Sequence, residues 1–218
     1  MLGDVLLIEE KHRVAGAKII DQILKVKEEK NKENLIIGIS GESGTGKTEL
    51  AHVVAKGLRA HGIFAKPIHI DNYYKTLPLE RTEWRTSNGV ENVVGYDEYD
   101  WALIYKNISD FKNKAKSTMP CVDLVTEQVD MLTTDFSSVD MLIVDGLYAI
   151  KTEDIDIRVF IDITYHDTGK AQKLRGKEPQ NEFRMKVLLK EHDMVKDLKS
   201  SADIIVNKDY SVRVKGEE

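Results

Sequence analysis

Eight residues constrain this chain more than any others: Gly41-Glu42-Ser43-Gly44-Thr45-Gly46-Lys47-Thr48. They follow the pattern G-x-x-x-x-G-K-[ST], and their flanks suit it. Leu35-Ile36-Ile37-Gly38-Ile39 ahead of them reads as a buried strand, and Glu49 to Arg59 behind them as an amphipathic helix. Phosphate binding needs this order. Glycines let the backbone take positive φ, so successive N–H groups turn towards one anion. The helix that follows points its positive dipole end and its unpaired N–H groups at the same place. In this pattern Lys47 reaches the β- and γ-phosphates of ATP, and the Thr48 hydroxyl ligates Mg2+. Gly41, Ser43, Gly44, Thr45 and Gly46 complete the expected ATP-binding loop.

What surrounds the loop narrows the function classes. A chain of 218 residues suits one sizeable domain, or a domain with a small lid. Its net charge of −5 gives no basic footprint for nucleic acid, so local lysines and arginines must handle any anionic substrate. Cys121 is the only cysteine, which excludes an intrachain disulfide and a Cys-rich zinc site. The apolar run in Met1 to Ile8 is too short for a secretory signal, and no stretch reaches transmembrane length. The expectation is a cytoplasmic enzyme acting on a small molecule, with neither nucleic acid nor membrane as partner.

Along the chain, Ala15, Ile19, Ile23 and Val26 recur at helical spacing. They predict an amphipathic helix in residues 1–34 that packs on the core; homo-oligomer formation through it is the other reading. Residues 35–210 read as the main domain, with a lid at about 164–180 and a frayed tail at 211–218. Ile63 to Ile70 reads as a second strand ending at Asp71, followed beyond Lys75 by a polar loop to Gly95 that is long for a compact domain. A helix follows Trp101. Pro120 to Met131 partly alternates apolar and polar, as a small β-ribbon does. Val139–Val144, Arg158–Ile163 and Ala202–Val206 read as further buried strands, with a helix marked by Phe183, Val187, Leu188, Met194, Val195 and Leu198 before the last. Strands alternating with helices indicate an α/β fold with a parallel sheet flanked by helices.

Two carboxylates close strands. Asp145 ends Met141-Leu142-Ile143-Val144 and is a candidate metal ligand, with a turn residue beside Gly146 as the plainer reading. Asp71 is the candidate base, because ligands of open α/β sheets sit beyond the carboxyl ends of the strands; a helix cap or Asx-turn is its plainer reading.

Here the chain resembles the uridine kinases and, more loosely, the phosphoribulokinases. The resemblance rests on the glycine loop with Ser43, on Asp71 to Lys75, on Tyr96-Asp97 before a helix, on the Pro120 to Gln128 ribbon and on the Asp145-Gly146 strand end. It runs from about Leu35 to Asp209 and implies a P-loop NTPase fold with a β-ribbon and a short lid. It implies ATP and Mg2+ as cofactors and phosphoryl transfer to a hydroxyl of a nucleoside or other small metabolite. By position, Asp71 is implied as catalytic base and metal-proximal carboxylate, Tyr73 and Asp97 as acceptor-site residues, and Arg175 as a catalytic cation in the lid. Asp145 falls where the family usually has Glu. The ribbon positions at which uridine kinases carry the Tyr and His that grip the base are Val122 and Glu127 here, so uridine and cytidine are expected to be poor acceptors. The lid offers Lys170, Lys173, Arg175 and Lys177, fewer arginines than the family pattern has. Two other classes compete: a nucleotide-binding regulatory protein with weak catalysis, and a GTPase-type switch. The switch wants Asn-Lys-x-Asp, which Asn207-Lys208-Asp209 misses by one position.

Overall fold

The computed structural model describes residues 1–169 and 181–216. Its centre is β1 (Ile36–Gly41), every residue of which is buried. Such a strand has helices on both faces and so reads as an unbroken apolar run. The sheet around it has the order β2 (Ala65–His69), β5 (Met141–Asp145), β1, β6 (Ile157–Ile161), β7 (Ile204–Val206), β8 (Val212–Val214). The pairings from β2 to β7 are parallel, and β8 closes the edge antiparallel to β7. The segment expected to be a frayed tail is therefore partly sheet: Val212 and Val214 pair with Val206 and Ile204.

One face carries α1 (Glu10–Lys30) and α2 (Lys47–Leu58), whose Ile19, Ile23, Leu50 and Val54 meet Ile37, Ile39 and Val159. Gly16 permits the close approach of α1, since a Cβ there would stand 2.6 Å from Val53 Cγ1. The other face packs Ile36, Leu142, Val144 and Phe160 against Ile104, Ile108 and Phe111 of α5 (Trp101–Lys112) and against Val195 of α6 (Glu182–Val195). A two-stranded antiparallel ribbon, β3 (Lys116–Asp123) and β4 (Gln128–Asp135), stands apart from the main sheet.

The expected polar loop before Gly95 is instead helical, with α3 (Pro78–Asn88) and a single turn α4 (Val90–Val93). Pro78 opens α3 at a position where its missing N–H costs nothing. No apolar stripe advertises the helix, because its only buried residue is Arg85. That guanidinium makes a two-pronged bond to Glu98, with Nε to Oε1 at 2.7 Å and Nη2 to Oε2 at 3.1 Å. A polar anchor takes the place of the usual hydrophobic one.

Candidate active site

The phosphate loop leaves β1 at Gly41 and enters α2 at Lys47. Gly44 and Gly46 adopt φ of 80° and 88°, the left-handed conformation that turns backbone N–H groups into a nest. Side chains fix the loop from within: Thr45 Oγ1 and Lys47 Nζ donate to Glu42 O at 2.9 and 2.7 Å. Other elements fix it from outside. Tyr210 OH donates to Thr45 O, and a Cβ at Gly46 would fall against that hydroxyl and 2.8 Å from His12 Nε2. The Glu42 carboxylate accepts from Tyr165 N and pairs with His192 Nδ1, both at 2.7 Å. Ser43 accepts from Thr168 Oγ1 at its carbonyl and from Arg184 Nη2 at its hydroxyl.

A cleft of about 550 Å3 opens over this loop, lined by Ser43, Gly44, Gly46, Lys47 and Thr48. Asp71 lines it too, from the 3-10 turn that continues β2. Val122 and Glu127 contribute from the ribbon, so the cleft joins the phosphate loop, the candidate base and the ribbon in one space. Glu127 sits in the ribbon turn with φ of 55°.

Other expected site residues lie elsewhere. Tyr73 does not line the cleft: it is 2% exposed, and its hydroxyl donates to Asn107 Oδ1 at 2.8 Å. Burial pushes its pKa well up, so the phenol stays neutral. The tyrosine in the cleft is its neighbour Tyr74, which carries the Arg81 guanidinium 3.5 Å from its ring centroid and accepts from Tyr99 OH. Asp97 is exposed and away from the lining; its carbonyl accepts from Lys75 Nζ. Asp145 is 2% exposed, and its carboxylate pairs with His69 across two neighbouring strands rather than opening to the cleft. One of its carboxylate oxygens, Oδ1, is thus engaged by a protein partner. Arg175 lies outside the described residues, as does most of the expected lid.

Several lining residues carried no sequence signal. Arg184 reaches the cleft from the first turn of α6, where the Asn181 side chain caps its amide at 2.9 Å. Arg81 and Arg85 arrive on the unexpected α3, and Gly3, Asp4 and Val5 come from the start of the chain. Among the described residues no cluster of three or more His, Cys, Asp or Glu side chains could hold a metal. A Mg2+ held by Thr48, a carboxylate and substrate phosphates needs none, because this ion keeps several waters. The loop and these oxygen donors fit ATP with Mg2+: the nest is built, and its lysine is in place. No helix among the described residues is long and apolar enough to cross a membrane.

Comparison with known proteins agrees with this geometry. A family model described as phosphoribulokinase/uridine kinase family matches residues 36–176. A uridine kinase of Staphylococcus aureus (strain JH9) is 26% identical over 196 residues, covering 84% of this chain and 92% of the relative. Among solved structures, a possible uridine kinase from Bacillus stearothermophilus superposes with a TM-score of 0.66 at 21% identity, over 88% of this chain and 97% of that one. D-glycerate 3-kinase from Cryptococcus neoformans gives 0.63 at 14% identity, over 95% and 98%. At such identities the two structures speak for the fold alone.

Proposed function

The chain belongs to the phosphoribulokinase/uridine kinase family, and from that premise we propose that it moves the γ-phosphate of ATP to a hydroxyl of a small metabolite. The carrying observation is the single cleft lined both by Ser43 to Thr48 and by Asp71. Phosphoryl transfer asks a protein mostly for positioning and charge stabilisation. The nest at Gly44 and Gly46, with Lys47, binds the polyphosphate; Arg184 brings a second cation to the same wall. Thr48 and Asp71 supply hard oxygens for Mg2+. Asp71 takes the proton of the acceptor hydroxyl as that oxygen bonds to the γ-phosphorus and the bond from that phosphorus to the bridging oxygen breaks, releasing ADP. ATP supplies the phosphoryl group, and Mg2+ offsets its charge. The reaction runs in the cytoplasm.

The ribbon argues against a pyrimidine nucleoside as acceptor. Val122 offers neither an aromatic face nor a hydrogen bond, and Glu127 brings a negative charge. Sites that recognise a ring by hydrogen bonds lose discrimination heavily when those partners go. The acceptor is instead a small hydroxylated molecule with a donor or cationic group that Glu127 can meet. Coupled ATP turnover against uridine, cytidine, sugars, vitamins and amino alcohols tests this. A non-nucleoside is expected to give the highest kcat/KM, and Lys47→Ala to abolish its turnover with the fold intact. Preference for uridine above the rest, or undiminished turnover by the variant, would overturn the corresponding part.

A further inference from the structure

Residues 1–9 do more than lead into α1. Leu2 pairs with the ribbon as a short parallel bridge opposite Asp123. Its amide donates to Val122 O at 2.9 Å, and Leu124 N donates back to Leu2 O at 3.1 Å. Gly3 follows with φ of 71°, packed so that a Cβ would stand 2.9 Å from Val125 Cγ2. Further on, Leu7 N donates to Glu49 Oε1 at 3.3 Å. Glu49 is 2% exposed and lies in the first turn of α2, two residues after Lys47. The arm therefore runs from the ribbon edge to the phosphate helix, and Met1, Gly3, Asp4 and Val5 line the same cleft as Asp71 and Lys47. All of it precedes residues 36–176, the part shared with the family.

Main-chain pairing at a sheet edge holds a segment whatever its side chains, and here it holds the arm along the ribbon side of the cleft. We propose that residues 1–5 form a wall of the acceptor site, with Asp4 as the arm's polar contact to the acceptor. This rests on the kinase reading above. Asp4 from the arm and Glu127 from the ribbon turn line one cleft, and carboxylates there can accept hydroxyl or ammonium hydrogens. The arm also limits how much water reaches Lys47 and Asp71, a requirement for any enzyme that must not spend ATP on hydrolysis.

Two variants of the full chain test it. Gly3→Val puts a branched side chain at a left-handed φ against Val125 and detaches the arm; Asp4→Asn keeps the arm and removes its charge. With the acceptor that gives the highest turnover in the panel, Gly3→Val is expected to raise acceptor KM by about tenfold or more, and Asp4→Asn by about threefold. KM for ATP should stay within about twofold for both, since uniform loss on the acceptor side does not reach the nucleotide. With no acceptor present, Gly3→Val is expected to raise ATP hydrolysis severalfold. This second readout still judges the arm if no panel compound is phosphorylated, a result that would count against the kinase reading instead. Unchanged acceptor KM together with unchanged hydrolysis overturns the proposal, as does an effect confined to KM for ATP.

Discussion

Asp71 lies where β2 runs out into a 3-10 turn and shares the cleft with Lys47 and Thr48. Asparagine there keeps the shape and loses the ability to take a proton. Asp71→Asn is expected to cut kcat by about 10²–10⁴-fold, the usual span for a lost general base, while ATP affinity changes little. Steady-state kinetics beside a nucleotide titration separate the two, and a loss in affinity alone would remove the base role and leave Asp71 only its Mg2+ contact or a structural part. Lys47, Thr48 and Asp71 were legible because each belongs to a local pattern. The choice between Tyr73 and Tyr74 was not. Two adjacent tyrosines differ only in where a 3-10 turn aims them, and Asn107, 34 residues on, claims the first. Arg184 was invisible for a related reason: its place beside Ser43 depends on how α6 packs onto the loop, and no spacing within α6 encodes that.

Elements of the parallel sheet announced themselves through unbroken apolar runs, and the ribbon through partial alternation. α3 did not, because its only large apolar residues are Leu79 and Trp84 and the one side chain it buries is Arg85. It is held by charge instead. Arg85 and Glu98 are 4% exposed each, and Glu98 Oε2 also accepts from Gly95 N at 2.9 Å. Removing one partner of a buried ion pair strands the other. Glu98→Gln is therefore expected to cost about 3–5 kcal/mol, read as a fall in the urea midpoint at constant slope. An apolar pair of similar volume at both positions should recover most of that loss. A cost near zero for the single change would show that water reaches the pair.

Across the whole molecule, residues far apart in sequence meet beneath the phosphate loop: His12 from α1, Gly46, and Tyr210 beside β8. The His12 and Tyr210 rings lie edge to face at 4.9 Å, and Glu9 N donates to His12 Nδ1 at 2.9 Å. Burial holds the His12 pKa below its ordinary value of 6.5. The unfolded chain then binds a proton that the folded chain refuses, in the range from 6.5 down to the lowered folded value. Stability is therefore full above about pH 6.5 and falls as the pH drops through that window. Urea unfolding followed from pH 7.5 to 5 should show this slope, and His12→Gln should flatten it; an unaltered slope would place the titration elsewhere. The helix of residue 12 could be read from its apolar spacing. Its service to the loop could not, since that depends on a docking angle set by Gly16 and on a β8 edge that looked like a tail.

The first two of the four wildcard positions after Gly41 have a practical consequence. Pattern matching treats Glu42 and Ser43 as free, yet they anchor Tyr165, Thr168, Arg184 and His192, residues on both sides of segment 170–180. An eight-residue loop grafted from a relative would carry over the glycines, the lysine and the threonine. Where that relative has no carboxylate at position 42, the graft would leave the amide of Tyr165 and the ring of His192 without their partner. The transplantable module is thus loop plus bracket, residues 41–48 together with the ends at 165–168 and 184–192, and chimaeras joined between those parts should bind nucleotide less well than either parent.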